Sequence, residues 1–171
     1  MCQTAANLIE HVLPEVALRQ WVLTFPFAWR VRLAKDGALL ARLSWMFVKT
    51  VSRLYEKERG QGARTGALTV VQRTSSDMRL NPHLHVVFLD GSYVESGEEP
   101  GEELVWEPQR RLTTTEVGEV LTRVVKRMTR WLARRAGGAA GGDDDDDDAL
   151  TASAVSGHTP PAGPQWTRGL A

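Results

Sequence analysis

Cysteine is almost absent from this sequence. The single Cys2 rules out an intramolecular disulfide and any four-cysteine zinc site within the chain. A reducing cytoplasm is the compartment expected from that usage. Long apolar runs are missing too, and nothing approaches the roughly 20 residues that span a bilayer, so no membrane partner is expected. The opening Met1-Cys2-Gln3-Thr4 carries no basic segment followed by an apolar one, which leaves secretion unsupported. Net charge is zero, but that total hides an asymmetry. Six of the 21 acidic residues form the run Asp143 to Asp148, whereas residues 1–142 hold 20 of the 21 basic residues against 15 acidic ones, an excess of five positive charges. A mildly basic body permits binding to a polyanion without demonstrating it.

What is present describes an ordinary globular chain, with 42% hydrophobic and 25% charged residues over 171 positions. That length suits one domain with a tail. Residues 5–13 read as a short helix stopped by Pro14. Arg19 to Phe25, rich in β-branched and aromatic residues, reads as a strand that Pro26 ends. Helix is expected over Phe27 to Ala34. After Asp36, a good cap, comes a longer helix whose apolar positions Leu39, Leu40, Leu43, Met46, Phe47, Val51, Leu54 and Tyr55 follow the 3.6-residue period. Gly60 to Gly66 breaks it. Ala67 to Arg73 and His83 to Leu89 have strand character, the second closed by the turn dipeptide Asp90-Gly91. Shorter strands are expected at Ser92 to Glu95 and Glu103 to Glu107, joined by a Gly/Glu-rich loop around Pro100.

Thr113-Thr114-Thr115-Glu116 matches a capping box. The helix behind it is expected to bury Val117, Val120, Leu121, Val124, Val125, Met128, Trp131 and Leu132 on one stripe, with Arg123, Lys126, Arg127, Arg130, Arg134 and Arg135 on the other face. Gly137 is a ready C-cap. The order of elements predicts an α+β domain: a mainly antiparallel sheet with helices packed on it, over residues 1–136. A Gly/Asp-rich flexible linker at 137–148 and an irregular, disordered C-terminal tail at 149–171 are expected after it.

The segment with chemical content is Asn81-Pro82-His83-Leu84-His85-Val86-Val87-Phe88-Leu89-Asp90-Gly91. Residues two apart in a strand share a face, roughly 7 Å apart along the chain. His83 and His85 can therefore converge on one ion while Leu84 turns into the core. Imidazole suits divalent transition metals, and two ligands rarely suffice. Gln72 is the candidate third, because strands 67–73 and 83–89 could pair and bring its amide beside the histidines. Two alternating histidines can equally line a half-exposed sheet face, and the bare triplet does not decide between these.

With its flanking Asn81-Pro82 and Asp90-Gly91, the triplet resembles the HUH motif of two-tyrosine rolling-circle transposases from bacterial insertion sequences, members of the HUH endonuclease superfamily. Arg19 to Pro26 is similar to that family's first core strand, and Gly66 to Arg73 to the strand before its HUH strand. Ala152 to Gly157 and Pro160 to Trp166 look like a family connector. The resemblance implies DNA transposition and recombination through metal-dependent nicking and strand transfer of single-stranded DNA. A divalent ion, magnesium or manganese, would be held by His83, His85 and Gln72, and would polarise the scissile phosphate. A tyrosine on a downstream helix would attack it, leaving a phosphotyrosine link.

The sequence departs from that pattern. Its two tyrosines, Tyr55 and Tyr93, both precede the segment where the family's nucleophiles occur. Tyr55 falls on an apolar helix stripe and Tyr93 reads as the end of a strand, so neither is expected to attack. The family's upstream cysteine-rich zinc module has no counterpart, and the expectation is a partial transposase truncated at both ends and catalytically incomplete. Arg73, Arg79, Arg123, Lys126, Arg127 and Arg130 are candidates for phosphate contacts, which would not depend on sequence. Arginines on an amphipathic helix are as readily a solvated face. Trp21 and Trp29 could stack bases, although Trp21 belongs to a core strand. Asp90 reads as structural because it lies in a turn. The aspartate run reads as a solvated linker that could compete with DNA for the basic face. The alternative function is a non-catalytic nucleic-acid-binding remnant in which the histidines are idle.

Overall fold

The computed structural model describes residues 6–57, 59, 62–96 and 104–136. Its first element, Leu8–Val12, is a wider π-type turn rather than the expected α-helix, and it buries nothing. Strand β1 (Leu18–Thr24) follows. It alternates strictly, with Arg19, Trp21 and Leu23 turned inward and Leu18, Gln20, Val22 and Thr24 exposed. A 3-10 turn at Phe27–Trp29 leads into helix α1 (Arg30–Lys35). Helix α2 (Gly37–Lys57) starts where expected, because the Asp36 carboxylate accepts the Leu39 backbone N–H at 2.8 Å. Its apolar stripe is buried as its period predicts, except that Leu54 is half-buried. Thr50 joins the stripe, since its hydroxyl donates to the Met46 carbonyl at 2.7 Å and so needs no other partner.

Strands β2 (Ala67–Thr74) and β3 (Leu80–Leu89) complete a three-stranded antiparallel sheet in the order β1-β3-β2. β3 begins at Leu80 rather than at His83 and so runs through Pro82. The register explains how a central strand tolerates proline. Gln72 lies opposite His83 and Thr74 opposite Leu80, so Arg73 alone spans both Asn81 and Pro82. Pro82, with no N–H to donate, falls in that bulge. One face of β3 presents Leu84, Val86 and Phe88, all fully buried, and Tyr55 of α2 stacks on Phe88 with ring centres 5.6 Å apart. This is the core.

Two expectations need correction. The five strands do not form one sheet: β4 (Gly91–Glu95) and β5 (Leu104–Pro108) pair with each other in a second, two-stranded sheet. Asp90-Gly91 is therefore a corner where the chain leaves one sheet for another, not a hairpin turn. The corner is tied by backbone hydrogen bonds from Asp90 N–H to Ala17 (2.7 Å) and from Gln109 N–H to Asp90 (2.8 Å). Glycine follows because β5 crosses closely: a Cβ on residue 91 would lie 2.3 Å from the Glu107 carbonyl oxygen.

The second correction concerns helix α3 (Thr114–Ala136). It buries only Val120, Val124 and Met128 among its apolar positions, while Val117, Leu121 and Val125 stay exposed, at 42%, 52% and 53%. On a helical wheel these three lie beyond Met128, so the stripe is wider than the surface described against it. The capping box itself forms. Glu116 accepts the Thr113 backbone N–H at 2.8 Å, and Thr113 Oγ1 accepts the Glu116 N–H at 3.3 Å.

The chain divides into two units, Met1–Arg130 and Trp131–Ala171. In the second, the described residues are the end of α3, where Arg135 lies over the Trp131 ring, 5.4 Å from its centre. The Gly137 cap, the linker at 137–148, the tail at 149–171 and the loop around Pro100 fall outside the described residues. Antiparallel sheets with helices make this an α+β fold, as expected. No helix among the described residues is long and apolar enough to cross a membrane.

Gly91→Ala is expected to lower the free energy of unfolding by about 1–3 kcal/mol, the usual cost of forcing atoms into a packed contact, as measured by urea denaturation. The capping box carries a pH signature. The Arg110 guanidinium and then the Thr113 backbone and hydroxyl groups hold the Glu116 carboxyl at about 2 against an ordinary 4.5. That carboxylate therefore contributes fully above pH 4.5, and its contribution fades as pH falls toward 2. Far-UV circular dichroism should show the start of α3 fraying across that window, and Glu116→Gln should remove the dependence.

Candidate functional site

β3 sorts its side chains by parity. With Leu84, Val86 and Phe88 committed to the core, His83, His85 and Val87 face the other way. Directly opposed residues in an antiparallel pair share a face, so Thr24 and Gln72 flank His83, while Val22 and Val70 flank His85. The expected pairing of Gln72 with His83 is present. Tyr55 stacks on Phe88 and thus lies behind the sheet, on the face opposite the histidines.

The imidazoles meet edge to face, with ring centres 4.9 Å apart. A ligating nitrogen about 2.1 Å from a divalent ion puts its ring centre roughly 3.2 Å from that ion, so two such ligands near a right angle stand roughly 4.5–5 Å apart. The pair is spaced to share one ion. His83 Nδ1 lies 2.6 Å from the Asn81 carbonyl oxygen. A carbonyl can only accept, so Nδ1 carries the proton and Nε2 keeps its lone pair. His85 Nδ1 lies 2.8 Å from the Gln20 side-chain amide, and its Nε2 is buried with no hydrogen-bond partner. A buried ring nitrogen without a partner is the kind of atom an ion would satisfy.

Among the described residues, no group of three or more His, Cys, Asp or Glu side chains could hold a metal ion. The imidazole pair would therefore need a neutral third donor. Gln72 is placed for it: its amide nitrogen donates to the Thr74 carbonyl at 3.1 Å, which leaves the amide oxygen as the coordinating atom.

The other sequence candidates are distributed differently. Asp90 grips Arg19 through both carboxylate oxygens, at 2.8 and 2.9 Å, and that hydrogen-bonded carboxylate pushes the Arg19 pKa up. Its role at the corner is structural. Tyr55 is fully buried, and burial raises its pKa, while Trp21 donates to its hydroxyl at 3.4 Å. That is a packing environment, not an activating one. Tyr93 lies in β4 against Trp106, with ring centres 5.0 Å apart. Trp29 is half-buried in its 3-10 turn.

The basic candidates split as well. Arg73 is exposed and, one residue past Gln72, is turned by strand alternation to the other face. Arg79 pairs with Asp77 at 3.2 Å in the β2–β3 turn. On α3, Lys126 and Arg130 are exposed, and Arg123 pairs with Glu119 at 3.1 Å one turn back. Arg127 is instead engaged with Trp45, whose ring lies 4.9 Å from its guanidinium and 4.5 Å from that of Arg42. Gln20, which touches His85, was not distinguishable in the sequence. It is one polar residue on the outward side of a core strand, and only strand pairing brings it to the histidines.

A family model described as "Putative transposase" matches residues 66–158, more than half of the chain. The chain belongs to that transposase family. The matched segment takes in β2, β3 and α3, and with them His83, His85, Gln72 and the basic helix face; β1 and Gln20 lie outside it. No curated protein and no solved structure matches the chain.

Asp90→Asn is expected to lower unfolding stability by about 1–2 kcal/mol, given partial solvent screening of its ion pair. Manganese affinity should not change. A loss of affinity without a loss of stability would move Asp90 from the corner to the ion site.

Proposed function

We propose that this transposase-family chain acts on single-stranded DNA through a divalent ion, magnesium or manganese, held by His83, His85 and Gln72. The observation that carries this reading is the imidazole pair itself. Two rings stand 4.9 Å apart on the solvent side of a central strand, one locked with its Nε2 lone pair outward and the other with Nε2 buried and unpartnered. An ion bound there supplies Lewis-acid polarisation of a phosphodiester. The chain's own residues do the rest. The bulge at Asn81-Pro82 and the Asn81 carbonyl orient His83, and Gln72 closes the donor set from the neighbouring strand. The exposed cations Arg123, Lys126 and Arg130 bind phosphates without reading bases.

Strand cleavage also requires a nucleophile. Tyr55 lies behind the sheet and Tyr93 packs on Trp106, so in this reading the chain binds the ion and the strand without attacking by itself. This extends the HUH-like resemblance in the sequence to an ion-binding core that lacks its tyrosine.

A second reading rests on the basic helix face. Binding that weakens steeply with salt, yet ignores both metal and the histidines, would make the chain a non-catalytic nucleic-acid binder.

His83→Ala and His85→Ala should each weaken manganese binding at least tenfold, followed by paramagnetic resonance of the free ion, with smaller loss in Gln72→Ala. All three should keep a cooperative unfolding transition. Labelled single-stranded DNA incubated with manganese should yield no covalent protein adduct. An adduct would show that one of the two tyrosines attacks, and no manganese binding at millimolar concentration would remove the ion site altogether.

A further inference from the structure

The two imidazoles are held in different ways, and the difference points to a residue outside the matched family segment. His83 has no choice of tautomer, because its Nδ1 faces a backbone carbonyl at 2.6 Å. His85 does have a choice. Its Nδ1 faces the Gln20 side-chain amide at 2.8 Å, and an amide can donate through nitrogen or accept through oxygen at nearly the same position. If the nitrogen donates, the His85 proton must sit on Nε2. That atom is buried without a partner, so the arrangement would leave an orphaned N–H donor. With the amide turned over, its oxygen accepts the proton of Nδ1, and the buried atom is a lone pair instead. The second arrangement leaves no buried donor unsatisfied.

Gln20 reaches His85 because of register. Val22 is paired with His85 and Gln20 with Val87, so Gln20 is the diagonal neighbour on the same sheet face. A diagonal position is within range of a long side chain. Gln20 is otherwise exposed and makes no contribution to the core.

We propose that Gln20 is a positioning residue: its amide oxygen accepts the Nδ1 proton of His85 and so presents the His85 Nε2 lone pair to the ion. This rests on the reading of His83 and His85 as ion ligands. It adds that the two ligands are oriented by different means, one by its own strand and one by a side chain of β1.

The test uses the full chain and two variants. Gln20→Leu removes the partner, and Gln20→Glu keeps an acceptor that cannot donate. Ring-nitrogen NMR of the metal-free protein, above the ordinary titration range of histidine, reads the tautomer of each imidazole directly. Wild type and Gln20→Glu should show the His85 proton on Nδ1. Gln20→Leu should shift it toward Nε2 and leave the His83 signals where they are. Manganese affinity should fall about tenfold to a hundredfold in Gln20→Leu, the usual effect of losing such a partner, and recover in Gln20→Glu. Since residue 20 is exposed, the unfolding midpoint should stay close to wild type in both variants.

A wild-type His85 protonated on Nε2 would overturn the proposal. So would Gln20→Leu with wild-type tautomer and wild-type affinity, while leaving the ion site standing. Wild-type protein that binds no manganese would overturn the ion site and this proposal together.

Discussion

β3 is the only strand of its sheet that is hydrogen-bonded on both sides, and the rest of the molecule is arranged around that fact. Double pairing fixes the register of seven consecutive residues against β1, from Leu89 to His83. Because side-chain direction has a period of two, a slip by one residue would carry both histidines into the core and Leu84 and Val86 out of it. The core and the candidate site are thus two sides of a single constraint. Phe88 against Tyr55 holds the strand from behind, and that hold gives the imidazole pair its spacing in front.

The corner at Asp90 extends the constraint to the second sheet. Asp90 joins the end of β3 to Arg19 of β1 by charge and to Ala17 and Gln109 by backbone. Gly91 then lets β5 cross within a distance no side chain would permit. The same residue pair that ends the ion-binding strand therefore starts the small sheet. A carboxylate close to two histidines in sequence can look like a ligand, yet its oxygens are already occupied by a guanidinium.

Much of this was legible in the sequence, and the failures have physical causes. The Asp36 cap, the α2 stripe, the Thr113–Glu116 box and the pairing of Gln72 with His83 are local or periodic signals, and each formed as read. Asp90-Gly91 misled because Asp-Gly favours any sharp change of direction. Whether the chain then folds back on itself or enters another sheet is decided by distant partners. The exposed Val117, Leu121 and Val125 misled because periodicity shows which residues could be buried, not how wide a surface meets them. Pro82 argued against extending β3 upstream until the bulge supplied a place without a required donor. Gln20 carried no signal at all, because its importance depends on which tautomer a residue 65 positions away adopts. The aspartate run and the tail lie outside the described residues, and the expectations for them stand as they were.

The edge position of β2 divides the candidate site into parts with different lifetimes. His83 and His85 belong to a strand that can open only by breaking ladders on both flanks, whereas Gln72 sits on a strand paired along one flank, most of whose residues are exposed. Local opening follows such differences, with edges fluctuating at lower free energy than centres. The backbone under Gln72 therefore visits open states far more often than the backbone under the imidazoles. An ion at this site would exchange by way of the amide, like a latch that lifts on one side while its hinge stays shut.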